Sequence, residues 1–313
     1  MKRTLGVQRM GKPSLKELGK RFGRQKYIFL MMTVGLIWYL IFKYYPLWYI
    51  SKAFTNYGTV ANPEFIGLDN FKKLFTSPYF LRSFKNTLIL SFMNLAFSFP
   101  IPIILALSLN ELRSRTFKKS AQFIVYVPHF LSWVVVGGLF NMMLSPGEGI
   151  INEALVALGV LEKPIHFMAS SEWFRATLVG TEIWKNAGYN AVVYIAAIAG
   201  VDQQLYEAAR VDGAGRFKQM LHITLPGIRS TIATVLMLTV ARILQIFEQI
   251  LVMENNAVKE VSDVLKTYSY WEGIDRGNIG YATAIGLFTS VVSLILVIGC
   301  SKFSKKVLHE EIM

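Results

Sequence analysis

Six apolar runs dominate this 313-residue chain, each near the ~20 residues that a helix needs to cross a hydrocarbon core about 30 Å thick. They cover about Tyr27–Ile50, Asn86–Leu109, Phe123–Leu144, Trp173–Gly200, Ile228–Met253 and Tyr281–Cys300. Lipid offers no partners to exposed peptide groups, so such runs close their backbone bonds internally as helices. Charged residues make up only 17% of the chain, against about a quarter in soluble domains. The expected fold class is an all-α integral membrane protein with six transmembrane helices.

The net charge of +13 gathers at the ends of the runs, where basic residues orient helices toward the cytoplasm. That placement argues for a lipid bilayer and against nucleic acid as the partner of the basic charge. Before the first run lie Lys2, Arg3, Arg9, Lys12, Lys16, Lys20, Arg21, Arg24 and Lys26 against the lone acid Glu17. The run itself is too long for a signal peptide. It ends in Tyr44, Tyr45, Trp48 and Tyr49, an interfacial aromatic belt, with Pro46 placed to kink its outer turn. Arg113, Arg115, Lys118 and Lys119 mark a second cytoplasmic loop, and Lys302, Lys305 and Lys306 a cytoplasmic C-terminus. Lys52, Lys72, Lys73, Arg82 and Lys85 in the external segment 51–85 break the pattern, but the other loops agree with one another. The expected organisation is a basic tail over 1–26, a six-helix membrane domain over 27–303 and a short tail over 304–313. Two short amphipathic helices, in FIGLDNFKKLF and IINEALVALGVL, and the charged segment ENNAVKEVSDVLKTYSYWEGIDRGN are expected outside.

Several chemistries lack their residues. There is no GxxxxGK[ST] phosphate loop, and Gly213-Ala214-Gly215 lacks the following lysine and preceding strand. His129, His166, His222 and His309 are scattered without ligand spacing, and neither GxSxG nor HExxH occurs. Cys300 is the single cysteine, which excludes an internal disulfide and reads as a small packing residue. No enzyme and no cofactor of its own are expected.

The stretch YEAARVDGAGRFKQMLHITLP, Tyr206 to Pro226, is too polar to sit in lipid. It sits between the fourth and fifth runs, on the side that the basic charge assigns to the cytoplasm. Two short helices broken at Gly213, where glycine permits a positive φ, gather Leu205, Ala208, Ala209, Phe217, Met220 and Leu221 into one apolar stripe. Glu207, Arg210 and Lys218 rim it, and Pro226 is placed to start the next helix. Such a stripe needs a cover, which is either a partner protein or the lipid headgroups.

The spacing itself carries more. Glu207-Ala208-Ala209, then Gly213, then Ile223, Leu225 and Pro226, resembles the EAA loop of ABC importer permeases. The likeness extends from Tyr27 onward through FKYYPLWYISKAF, VPHFLSWVVVGGL, LSPGEGIIN, EWFRATLVGTEIWKNAGYNAVVYIAAIAGVDQQLYEAARVDGAGRFKQMLHITLPGI, FEQIL and GYATAIGLFTSVVSLIL. These resemble the maltose-type carbohydrate importers, within the subfamily for oligosaccharides derived from polysaccharides or glycans. The maltose permease proper has extra N-terminal spans and a large external domain, which are not in this sequence. The resemblance implies a type I importer permease in a bacterial plasma membrane. It works there with a second, different permease, two ATP-binding subunits that hold the ATP and magnesium, and an extracytoplasmic solute-binding protein, lipid-anchored in a Gram-positive cell. The loop 202–227 would be the coupling helix. There Glu207 would contact the ATPase, Gly213 would make the turn with Asp212 beside it, and Ala208, Ala209, Ile223, Leu225 and Pro226 would complete the docking and packing surface.

Polar residues inside spans are costly and mark functional pathways. Thr239, Arg242, Gln245, Glu248 and Gln249 recur at steps of three or four in the fifth run. Their amides, guanidinium and carboxylate suit sugar hydroxyls; alternatively, an Arg242–Glu248 or interhelical ion pair holds the bundle together. The fourth run adds Glu182, Trp184, Lys185, Asn186, Tyr189 and Asn190, and the third Asn141. Trp184 and Tyr189 either stack on pyranose faces or pack the bundle.

Overall fold

A computed structural model describes residues 25–307. Nearly all of the basic tail and the end of the C-terminal tail therefore lie outside the described residues. Contacts divide the chain into two units, Met1–Ser51 and Lys52–Met313.

In the first unit the helix Lys26–Tyr39 continues as a π turn over Leu40–Tyr44 and as a 3-10 helix from Tyr45. Its side chains are exposed almost throughout, as expected of an apolar helix whose solvent is lipid. Pro46 does not end the helical run, which reaches Phe54.

In the second unit, helices pack on helices, and among the described residues the only extended pairings are two isolated bridges. Two further helices are continuous and apolar enough to cross a membrane, Pro78–Glu111 and Ile279–Lys305. The first begins eight residues before the expected start. It absorbs Pro100 and Pro102 by opening a π turn at Asn94–Ser98, which frees backbone room ahead of the prolines. The expected third and fifth spans differ from the continuous helices anticipated. Arg115–Phe130 and Trp133–Met143 meet at 105°, and Arg216–Gly227 and Arg229–Arg242 meet at 60°. Pro226 thus sits in a short turn, and the long helix starts only at Arg229. That helix stops at Arg242 and resumes over Glu248–Met253. The fourth span matches expectation as Phe174–Ala199, about 39 Å at 1.5 Å per residue, but its polar load keeps it below the apolar threshold for a span. Among the described residues, the helices long and apolar enough to cross a membrane thus number three, or up to five when each bent pair counts as one.

Non-helical backbone at membrane depth survives only where side chains or a cavity satisfy it. The breaks obey this. Ser91 donates to the carbonyl of Ile243 at 2.8 Å. Lys185 donates to the carbonyls of His129 and Leu131 at 2.7 and 2.6 Å.

The charged segment after Met253 is no solvated loop. Val258, Val264, Leu265 and Tyr268 are buried, and the segment is stitched to the start of the Pro78–Met93 helix. Asn86 donates to the carbonyls of Glu260 and Asp263, both at 2.9 Å, and Thr87 accepts from the Leu265 N–H. In the FIGLDNFKKLF piece the helix is Asp69–Thr76; Leu74 is buried, while Phe65 and Leu68 precede the helix and stay exposed. IINEALVALGVL forms the helix Ile150–Ala157.

Candidate functional site: a polar membrane cavity and a helical loop

Two features stand at different levels of the second unit, joined by the Phe174–Ala199 helix. Its last turns meet the Pro100–Glu111 helix in a cluster of Ala106, Ala191, Tyr194, Ile198, Val201 and Ile228. The loop follows at once.

Asp202 caps the helix Gln203–Val211, its carboxylate accepting from the Gln204 N–H at 2.9 Å. Gly213 breaks it at φ +75°, and no atom beyond its chain neighbours lies within 4 Å of where a Cβ would be. The chain then turns through Arg216–Gln219 and a π turn over Met220–Thr224. Tyr206 and Thr224 bridge the two arms by a hydroxyl pair at 2.9 Å, and Gln219 donates to the Ala214 carbonyl at 2.7 Å. Ile223 packs into the cluster beneath, and Leu225 is half-buried beside it. Glu207, Ala208, Asp212 and Pro226 are exposed, and Ala209 is half-buried. The uncovered apolar residues include Leu205, Phe217 and Leu221, as expected, and Val211, which at 89% exposure is the most open of them. Arg216 reaches back to Glu111 at 3.2 Å.

The cavity, about 660 Å³, opens between the Pro78–Glu111, Phe174–Ala199 and Arg229–Arg242 helices. Thr239, Arg242, Gln245, Glu248, Gln249, Asn186 and Asn190 line it as the polar stripe predicts. Sequence reasoning had no signal for Asn94, Ser98, Trp133 and Tyr194, which complete the wall. Tyr194 is 1% exposed, and its hydroxyl has no partner among the described residues.

The stripe is not one helical face. The helix breaks over 243–247, with Phe247 at φ −143°, and the break itself carries Gln245 into the cavity. Among the described residues no ion pair joins Arg242 and Glu248, so the structural pairing is not formed. Gln249 is the exception in the stripe: it is buried and donates to Leu178 O at 2.6 Å and Thr181 Oγ1 at 2.8 Å.

Each of the two aromatics has a ring partner in the bent third span. Trp184 meets Phe140 edge-on with centroids 5.3 Å apart, and Tyr189 stacks on His129 at 3.8 Å. Neither lines the cavity. Periodicity could not have decided this, because their partners come from the bent third span. Asn186 donates to Glu182 at 2.8 Å and pairs with His129 at 2.9 Å. Asn141 faces a second cavity, of about 460 Å³, with Glu148, His166 and Asn255.

Known proteins share this architecture. Residues 82–309 match the family model for the binding-protein-dependent transport system inner membrane component. The chain is 44% identical over 299 residues to the polygalacturonan/rhamnogalacturonan transport system permease protein of Bacillus subtilis, covering 94% of this chain and 92% of that one. It is 30% identical over 264 residues to the arabinooligosaccharides transport system permease protein of the same organism, with 82% of each covered. Among solved structures it is similar to a chain of a bacterial alginate ABC transporter in complex with alginate pentasaccharide-bound periplasmic protein. That likeness has a TM-score of 0.86 and 39% identity over 94% of this chain and 99% of that one. A multi-pass helical bundle, a capped two-helix loop and a polar cavity thus coincide with a family match over most of the chain. The protein belongs to the inner membrane components of binding-protein-dependent transport systems, as a non-catalytic permease subunit.

Proposed function

We propose that this chain forms half of a translocation pathway for an oligosaccharide. It pairs with a second, different permease and with two ATP-binding subunits, and it receives solute from an extracytoplasmic binding protein. Both termini and the loop 202–227 face the cytoplasm, as the basic flanks suggest. Glu207, Ala208, Ala209, Asp212 and Gly213 form the docking edge for an ATPase, and Ile223, Leu225 and Pro226 anchor it to the bundle. The uncovered apolar residues of the loop, Val211 foremost, support a protein partner there.

The observation that carries the cargo reading is the wall of the cavity. Arg242, Gln245 and Glu248 are exposed in it, beside the unpartnered hydroxyl of Tyr194. Amide, hydroxyl and charged groups in a wet cavity suit sugar hydroxyls. The guanidinium of Arg242 has no hydrogen bond or ion pair among the described residues. A guanidinium in that position favours a carboxylated sugar, in keeping with the acidic polysaccharides named for two relatives.

The test is uptake by the complete transporter of an oligogalacturonate and of a neutral oligosaccharide of equal length. Losing one charge-assisted hydrogen bond of ~1.5–3 kcal/mol through Arg242→Gln should lower uptake of the acidic solute by about 10- to 100-fold. Neutral solute should change much less. Equal losses for both would contradict the carboxylate role.

A further inference from the structure

The Phe174–Ala199 helix passes into the loop helix Gln203–Val211 through only Gly200, Val201 and the cap Asp202. Along its middle it grips both arms of the bent pair Arg115–Phe130 and Trp133–Met143. At Gly188 the first arm comes so close that a Cβ would collide with the carbonyl of Val125. At Trp184 the second arm is met through Phe140. Between these contacts Lys185, 6% exposed, donates to the carbonyls of His129 and Leu131 and lies 5.4 Å from the centre of the Trp133 ring.

An ammonium inside a membrane helix is costly and is retained for a reason. Here its donors satisfy carbonyls freed by the 105° bend, so it is not available to a solute. Trp133 is the first residue of the second arm and lines the cavity. The lysine therefore ties a wall of the cavity to the helix that carries the loop.

We propose that Lys185 is a positioning residue for transport. It fastens the bend at 131–132 to the Phe174–Ala199 helix, so that displacement of the loop moves the Trp133 wall. The proposal rests on the reading of loop 202–227 as the ATPase-docking surface. Loss of the lysine leaves ATP hydrolysis and solute affinity in place and disconnects the two.

The experiment uses the complete transporter in proteoliposomes and reads uptake and ATP hydrolysis in the same vesicles. Lys185→Met keeps an unbranched side chain one heavy atom shorter and removes its donors. Solute taken up per ATP hydrolysed should fall about tenfold or more, the scale of one lost charge-assisted bond. The half-saturating solute concentration should change by less than about threefold. Lys185→Arg, which again offers donors to both carbonyls, should restore most of the ratio. A wild-type ratio in K185M overturns the proposal. So does a rise in half-saturating concentration at unchanged maximal rate, because that would make Lys185 a solute ligand. If K185M does not assemble, Lys185→Leu, which likewise has no donor, is read by the same criterion, and a wild-type ratio there overturns it. A wild-type complex without ATP-driven uptake overturns the functional reading, whereas coupled wild type beside coupled K185M overturns only this inference.

Discussion

Asn86 is 2% exposed, and its amide is fully engaged. It donates to Glu260 O and Asp263 O and accepts from Arg175 at 2.7 Å. One side chain therefore joins three segments far apart in sequence. Asn86→Ala should destabilise the subunit by about 1–3 kcal/mol for each group left stranded, read as a lower melting temperature of the purified complex. Asn86→Asp keeps the acceptor for Arg175 but has no donor for the two carbonyls, and it should destabilise as well. An N86D complex as stable as wild type would contradict this account.

Glu254 sits at the same corner, where burial raises its carboxyl above the ordinary 4.5 and Lys259 offsets part of the rise. A carboxyl raised on folding favours the folded state below its ordinary value and loses that contribution as pH climbs through the raised one. The complex should therefore melt higher at mildly acidic than at neutral pH by an increment that Glu254→Gln abolishes. Identical pH profiles for the two proteins would remove Glu254 from the account.

Among elements, the loop gives the sharpest prediction. Gly213 has a positive φ and open space around it, so the penalty for a side chain is conformational and not steric. An L-residue in this region costs about 1–2 kcal/mol, least for asparagine. Coupled uptake should fall in the order Gly213→Asn, Gly213→Ala, Gly213→Val, with insertion into the membrane retained. Equal activity of the valine and asparagine variants would mean that the turn is not held as described.

This turn was legible because glycine announces its backbone. The 131–132 bend left a trace too: Pro128 lies before it, and Ser132 caps the next helix, accepting from the Val135 N–H at 3.3 Å. The break at 243–247 left none. Its residues Ile243, Leu244, Gln245, Ile246 and Phe247 read as helix, and the bonds from Ser91 and Gln249 that hold it come from or reach other helices. The polar stripe nevertheless lines one cavity, because polar side chains in a span gather where polar partners or water can satisfy them, whatever the local backbone does. Trp184 and Tyr189 were ambiguous for the opposite reason: an aromatic ring is equally at home against a sugar or against Phe140 and His129.

At the scale of the molecule, the loop and the polar cavity lie at different levels of one helix, and neither feature alone makes a transporter. The cavity supplies polar groups but no energy source. The loop offers an apolar surface but no phosphate-binding site. The reading requires both to act through partners. The direct measurement is solute accumulation in proteoliposomes carrying either this chain alone or the complete complex, each with and without ATP. The account predicts accumulation only in the complete complex, only with ATP, and most reduced by Gly213→Val among the loop variants. Accumulation by the chain alone, or by the complex without ATP, would contradict it.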